Sequence, residues 1–261
     1  SGQERRVNVT ASIAETASAR LPRYGLWSPL GRSIYQGFEW ASGGVGFVVW
    51  YSYDDEGVPV FYNALNPIDP ARSTWSGDLL RTTSIGVRNN ISTVGHLGIT
   101  ALAEDDMIVA WRLNGAHGSE RLKPDSPPTC PSDGGDVLSY TGHWNAPGVA
   151  QGGTTMVITD STQAQVRYYF DQLGIGRWVI STNRQGNGPL AEELDLLELR
   201  GFCPNCSQEP VAIETVGSYT RVFESETRAT EHLEFESLPP LDESNSMQIE
   251  IEKLTSRSEC Q

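Results

Sequence analysis

Histidine, cysteine and positive charge are all scarce in this chain, and it contains no long apolar run. Only 4 of its 261 residues are His and 4 are Cys, while 33 Asp and Glu outnumber 19 Lys and Arg, leaving a formal net charge of -14. That acidity argues against a nucleic-acid or anionic-membrane partner, because both would repel the summed field. No stretch approaches the roughly 20 apolar residues that a bilayer-spanning helix requires, so no membrane-spanning segment is expected. His96, His117, His143 and His232 stand in no Gly-x-Ser-x-Gly elbow and no His-Glu-x-x-His helix. Nucleophilic catalysis needs a Ser or Cys beside an oriented base, and the sequence offers no such set. Gly43-Gly44 and Gly152-Gly153 are not followed by Lys-Ser/Thr, which excludes a phosphate loop of that type. No Asp-x-Asp-x-Asp-Gly calcium loop occurs either. No catalytic residues, metal ligands or cofactor are therefore expected, and a non-enzymatic role is the leading expectation. Ser1 opens the chain without a charged-then-apolar leader, as expected of a mature or trimmed form.

What the chain does have is turn-forming and aromatic residues: 26 Gly, 15 Pro, 7 Trp, 9 Tyr and 7 Phe. That mixture suits many short strands joined by tight turns. It also has an internal repeat. Gly25-Leu26-Trp27 recurs as Gly142-His143-Trp144, an offset of 117 positions (27 to 144). The same shift carries Tyr51-Ser52-Tyr53-Asp54 onto Tyr168-Tyr169-Phe170-Asp171, Gly57 onto Gly174, Phe61 onto Trp178 and Asp78-Leu79-Leu80 onto Asp195-Leu196-Leu197. Beyond these anchors the offset becomes 122 (Val94-Gly95 to Val216-Gly217), so the second copy carries an insertion of about five residues. The insertion lies where Cys203-Pro204-Asn205-Cys206 occurs.

The repeat divides the chain into an arm (1–23), a first unit (24–130), a linker (131–139) and a second unit (140–261). In the first unit Phe47–Tyr53 is aromatic and β-branched, Asp54–Gly57 makes a turn and Val58–Tyr62 returns, as in a hairpin. With the neighbouring runs the unit holds about eight strands. The expected fold is all-β: two tandem, duplicated antiparallel β-barrels, since closure removes exposed sheet edges. A β-sandwich is the alternative. Ala191–Arg200 has helix-compatible spacing, but its counterpart reads as a strand. In the arm, Val7, Val9, Ala11 and Ile13 alternate with polar residues, the pattern of a half-buried strand. Such a strand must pair with its own barrel or be donated to a neighbouring subunit. The even cysteine count allows three pairings; a local Cys203–Cys206 clamp and a Cys130–Cys260 link between the ends of the two copies are expected.

Gly25-Leu26-Trp27-Ser28-Pro29, Gly37-Phe38, Trp50-Tyr51-Ser52-Tyr53-Asp54-Asp55-Glu56-Gly57-Val58-Pro59 and Ser76-Gly77-Asp78-Leu79-Leu80-Arg81-Thr82-Thr83 follow one another in the first copy. This series resembles a repeat found in many secreted or surface-associated proteobacterial proteins of unknown function. The resemblance covers most of residues 25–123 and departs from the repeat at Ser28, where a Trp or Asn is usual. It implies a secreted, periplasmic or cell-surface location and no particular activity. The Gly-x-Trp start is also similar to that of lipocalin-like and avidin-like barrels, in which a first-strand Trp plugs one end beneath a cation from the last strand. That likeness implies Arg121 over Trp27 and Lys253 over Trp144, the alternative being that both Trp are ordinary core residues.

Three functions are thus in view. The first is a non-catalytic extracellular or envelope protein acting by protein–protein contact or self-association, as a surface assembly or filament subunit. The second is a small-ligand or glycan binder, with Trp40, Trp50 and Tyr53 lining an open barrel. The third is a hydrolase whose paired carboxylates meet only in space.

Overall fold

The short aromatic and β-branched runs fold, in a computed structural model, into two closed antiparallel eight-stranded barrels in tandem. The structure describes residues 21–30, 37–42, 44–85, 88–133, 135–147, 153–183, 193–204, 206–207, 210–235 and 245–255. No helix occurs among them. Barrel 1 is built from β1 (Gly25–Pro29), β2 (Gly37–Ser42), β3 (Val45–Tyr53), β4 (Pro59–Pro67), β5 (Thr74–Ile85), β6 (Arg88–Ala103), β7 (Asp106–Leu113) and β8 (Ala116–Pro124). A two-stranded hairpin, β9 (Ser132–Asp133) and β10 (Asp136–Val137), lies between the barrels. Barrel 2 follows with β11 (Gly142–Asn145), β12 (Gly153–Ile158), β13 (Gln163–Phe170), β14 (Gly176–Asn183), β15 (Glu193–Arg200), β16 (Ala212–Ser225), β17 (Arg228–Phe235) and β18 (Asn245–Lys253). Each strand pairs with the next, and the barrels shut where β1 meets β8 (Trp27 opposite Pro124) and β11 meets β18 (Trp144 opposite Lys253). The helix-compatible segment before Arg200 is strand β15. Val7, Val9, Ala11, Ile13 and Cys260 lie outside the described residues.

The two copies share fine structure as well as topology. Trp27 and Trp144 occupy matching places on the first strand, and both are fully buried. A β-bulge at Leu79/Leu80 in β5 is repeated at Leu196/Leu197 in β15. The seam just before it is thin in both copies: β4 and β5 share one paired position, Asn63 with Leu80, and β14 and β15 share one, Ile180 with Leu197. Both seams lie on the side facing the other barrel, since β14 packs on β4 and β5, and β15 on β4.

Alternation along each strand separates an inner from an outer face. Barrel 1 is filled with aromatic rings: Trp27, Trp40, Trp50, Trp75 and Trp111 all point inward among aliphatic side chains. Trp50 stacks on Phe38 with ring centroids 5.1 Å apart and meets Trp111 at 5.3 Å. Rings of this size fit because glycines face them. A Cβ at Gly46 would come 2.4 Å from the Trp75 indole nitrogen, and one at Gly118 would come 2.5 Å from the Trp111 ring.

The expected cover of Arg121 over Trp27 is not what the structure shows. Leu122 takes the inward place on β8, so the preceding residue, Arg121, turns to the outer wall. There its Nε donates to Asp106 Oδ1 at 2.8 Å, and Lys123 Nζ lies 3.2 Å from the other carboxylate oxygen. These cations hold the Asp106 carboxyl down at about 2, below its ordinary 3.8. A carboxyl depressed on folding stabilises the fold above its unfolded value and loses that contribution as pH falls through its folded value. The stability difference between the wild type and Asp106→Asn is therefore expected to be constant above about pH 4 and to shrink toward pH 2. Urea midpoints measured across that window check it.

Candidate functional site

The outer wall of barrel 1 between β1 and β4 is apolar and aromatic, and it is covered by the corresponding wall of barrel 2. Leu26, Val49, Tyr51, Tyr53 and Phe61 pack with Val157, Val166, Trp178 and Leu199 in one cluster. The contacts come in exchanged pairs. Trp178 meets Tyr51 and Tyr53 at 5.8 and 5.6 Å, and its repeat equivalent Phe61 meets Tyr168 and Phe170 at 5.2 and 5.8 Å. The Ser84 amide donates to the Gly174 carbonyl at 2.8 Å, and Gly201 donates to Gly57 at 3.0 Å. Gly57 and Gly174 have φ of +77° and +73°, and an added Cβ would come 2.5 and 2.2 Å from the facing carbonyl oxygens of Gly201 and Ser84. Only glycine satisfies both demands. The two copies thus meet through the same patch, as the subunits of an isologous dimer do.

Polar groups break this pseudo-symmetry. Arg177 takes the place that Val60 has in barrel 1, and its guanidinium donates to Asp171 at 2.9 Å and to Asp54, the repeat equivalent of Asp171, at 3.0 Å. Glu39, fully buried, is the centre of a second set. It accepts from Tyr24 Oη at 3.0 Å, from His143 Nδ1 at 2.9 Å and from Thr155 Oγ1 in a close contact. Tyr51 Oη lies 2.6 Å from Thr155 Oγ1, and Tyr168 Oη lies 2.5 Å from His143 Nε2. Burial pushes the Glu39 carboxyl up, but the His143 charge and the hydrogen bonds outweigh it, so its pKa falls below the ordinary value. Burial, and then the Glu39 charge, push the Tyr24, Tyr51 and Tyr168 phenols well above theirs. A carboxylate, an imidazole and a phenol in series resemble a proton relay. Here Glu39 and His143 are sealed between the barrels, which suits fixing the two barrels in register.

The interior of barrel 2 differs in kind from that of barrel 1. At the offset of 117, Val48 and Trp50 correspond to Gln165 and Arg167; at 122, Leu97, Ile99 and Val109 correspond to Tyr219, Arg221 and Glu231. All five polar side chains are buried. Glu231 Oε2 accepts from Arg167 at 2.9 Å and from Thr154 at 3.2 Å, and its Oε1 accepts from Tyr219 at 2.8 Å. Arg221 donates closely to the side-chain carbonyls of Gln163 and Gln165. The phenol of Tyr219 is pushed well up by burial and by the Glu231 charge. At one end of this interior Tyr140, just ahead of β11, stacks on Phe223 at 3.8 Å, and the Tyr140 carbonyl accepts from the Trp144 indole at 3.1 Å.

The residues singled out from sequence fall in separate places. Trp40 and Trp50 lie inside barrel 1, whereas Tyr53 faces outward onto Trp178, so the three share no surface. Lys253 stands opposite Trp144 in register, with its ammonium donating to the Ser139 carbonyl at 2.6 Å. Cys203 and Cys206 form a disulfide; Cys130 is not a free thiol. Ligand atoms of Asp55, Cys203 and Cys206 lie within 4.8 Å of one another, but with the two sulfurs bonded together one carboxylate is left to hold a metal. Glu39, Arg167, Arg221 and Glu231 are not singled out by the sequence motifs. For Arg167, Arg221 and Glu231 the repeat offset holds the signal, since positions facing inward as Trp50, Ile99 and Val109 in one copy keep that phase in the other; for Glu39, on the outer wall, it does not. Comparison with protein-family models, with curated proteins and with solved structures finds no match to this chain.

Proposed function

We propose that this chain is a non-catalytic binding protein of the cell exterior or envelope, in which barrel 1 is a filled scaffold and barrel 2 receives a small polar ligand. One observation carries the reading: the two copies share one fold, but where barrel 1 has Trp50, Ile99, Val109, Val48 and Gly46, barrel 2 has two Arg, one Glu and two Gln, all buried. Buried polar groups are costly unless fully paired, and a structural barrel gains nothing by acquiring them when its twin shows that an apolar filling suffices. The Cys203–Cys206 bond suits an oxidising compartment. A thermal-shift series with neutral sugars, amino acids and organic acids, set against an apolar dye, tests the reading. Saturable stabilisation by a polar probe supports it; a response to the apolar dye alone overturns it.

A contact function, the second reading, draws on Ile85 and Leu173. These are exposed neighbours where the β5–β6 hairpin overlies the β13–β14 turn. For donation of the arm to a neighbour's barrel, the weakly paired seams are the places to consider, among them β4–β5 and β14–β15 with one paired position each. These two are covered by the other barrel, whereas β11–β18, with two paired positions, is a further short seam.

A further inference from the structure

Arg221 is a buried guanidinium bracketed by two side-chain amides. Its two terminal nitrogens bind the oxygens of Gln165 and Gln163, which fixes the orientation of both amides. With their oxygens on the cation, their nitrogens point elsewhere, and neither Gln163 Nε2 nor Gln165 Nε2 has a hydrogen-bond partner. Ser181, opposite Gln165 on β14, has an unpartnered hydroxyl as well. Gln163 and Gln165 are 1% exposed and Ser181 is 0% exposed. In barrel 1 the matching positions are Gly46, Val48, Ala64 and Ile99, so the cation, both amides and the hydroxyl are together in the second copy and all absent from the matching places of the first.

The charges close to Arg221 do not balance among the described residues. Glu231 is opposite Arg221 in register, but its oxygens are held by Arg167, Thr154 and Tyr219. Among the described residues no carboxylate lies within the 4.0 Å ion-pair distance of Arg221. Of the neighbours Arg167, Arg221 and Glu231, the carboxylate is therefore taken by Arg167, and the unmet groups beside Arg221 are amide N–H donors and a hydroxyl. Water satisfies donors but leaves the charge. A group that only accepts hydrogen bonds and carries negative charge satisfies both, and charge-assisted hydrogen bonds are the stronger kind. The guanidinium carbon also sits 5.0 Å from the Phe223 ring centroid, beneath the Tyr140–Phe223 stack.

We infer that barrel 2 binds an oxyanion on Arg221, between the amides of Gln163 and Gln165. The inference rests on the receptor reading and narrows its ligand to the carboxylate, sulfate or phosphate class. The test titrates the full chain with sodium sulfate, phosphate, acetate and glucuronate at ionic strength fixed with chloride, with glucose as the neutral control. Melting temperature and heat of binding are recorded. The expected result is a saturable rise in melting temperature with at least one oxyanion. Arg221→Ile, which restores the barrel 1 residue, is expected to fold at least as stably and to lose affinity at least tenfold. Ser181→Ala, which keeps the charge, gives a smaller loss and covers the case in which Arg221→Ile fails to fold. A response to glucuronate alone assigns a carboxylated molecule; a response to sulfate or phosphate assigns the inorganic group. Stabilisation by glucose but by no oxyanion overturns this inference and leaves the receptor reading standing. No response to any probe, or a full response in Arg221→Ile, overturns it as well, and the former also counts against the receptor.

Discussion

Trp178→Ala is expected to cost about 3–5 kcal/mol of stability, the range for truncating a buried Trp. At about 2–4 °C per kcal/mol for chains of this size, the melting temperature falls by roughly 6–20 °C. Trp178 is buried, packs on Tyr51 and Tyr53, and its indole nitrogen donates to the carbonyls of Ser52 at 3.0 Å and Val60 at 3.1 Å. Removing it opens a void between the barrels and strips a donor from barrel 1. Trp178→Phe installs the residue that the repeat has at position 61; it keeps most of the packing and should cost about 1–2 kcal/mol for the lost hydrogen bonds. Equilibrium urea denaturation of both variants reads the difference. An alanine variant within about 0.5 kcal/mol of wild type, the usual scatter for surface substitutions, would mean that the two barrels do not depend on this face.

Glu231→Ala is expected to be as damaging, by a different route. It leaves Arg167 charged, buried and without its 2.9 Å partner, while Tyr219 and Thr154 lose their acceptor. Breaking one side of a buried ion pair costs about 3–5 kcal/mol, whereas replacing both partners with well-packed apolar groups is often neutral or stabilising by about 1–4 kcal/mol. The double variant Arg167→Met/Glu231→Val moves barrel 2 toward the filling of barrel 1. It should therefore unfold at or above the wild-type denaturant midpoint, although each single change lowers it. A double-mutant cycle measured in urea checks this. Simple additivity of the two losses would show that the pair does not act as a unit.

The strands, their number and the duplication were legible because they depend on local pattern. Trp27 and Trp144, the Asp54–Gly57 turn and the bulged Leu-Leu pairs keep their places in both copies, and the barrels close as that pattern implies. What covers an outer face was not legible. Glu39 alternates outward from β2, as a solvated carboxylate would, yet that wall is buried by a second barrel some hundred residues along the chain. β13 was harder still. In Gln163-Ala164-Gln165-Val166-Arg167-Tyr168, alternation alone suggests polar side chains toward water and apolar ones toward a core. The structure has the reverse: Gln163, Gln165 and Arg167 face the barrel interior, while Ala164, Val166 and Tyr168 face barrel 1. Period-two patterning separates two faces without saying which is inside. The repeat supplies the missing phase, because Arg167 inherits the orientation of Trp50.

The covered seams bear on how this chain tolerates mutation. Because the thin β4–β5 and β14–β15 seams are each closed over by the other barrel, the halves should unfold together, so that whatever stability the tryptophan-packed half contributes is shared by the half that carries charge inside. Selection removes only variants that fall below a stability threshold. Change should therefore concentrate in the interior of barrel 2, while the inner rings of barrel 1 and the facing Gly57 and Gly174 stay fixed. In such a molecule one repeat preserves the shape while the other is free to acquire new chemistry.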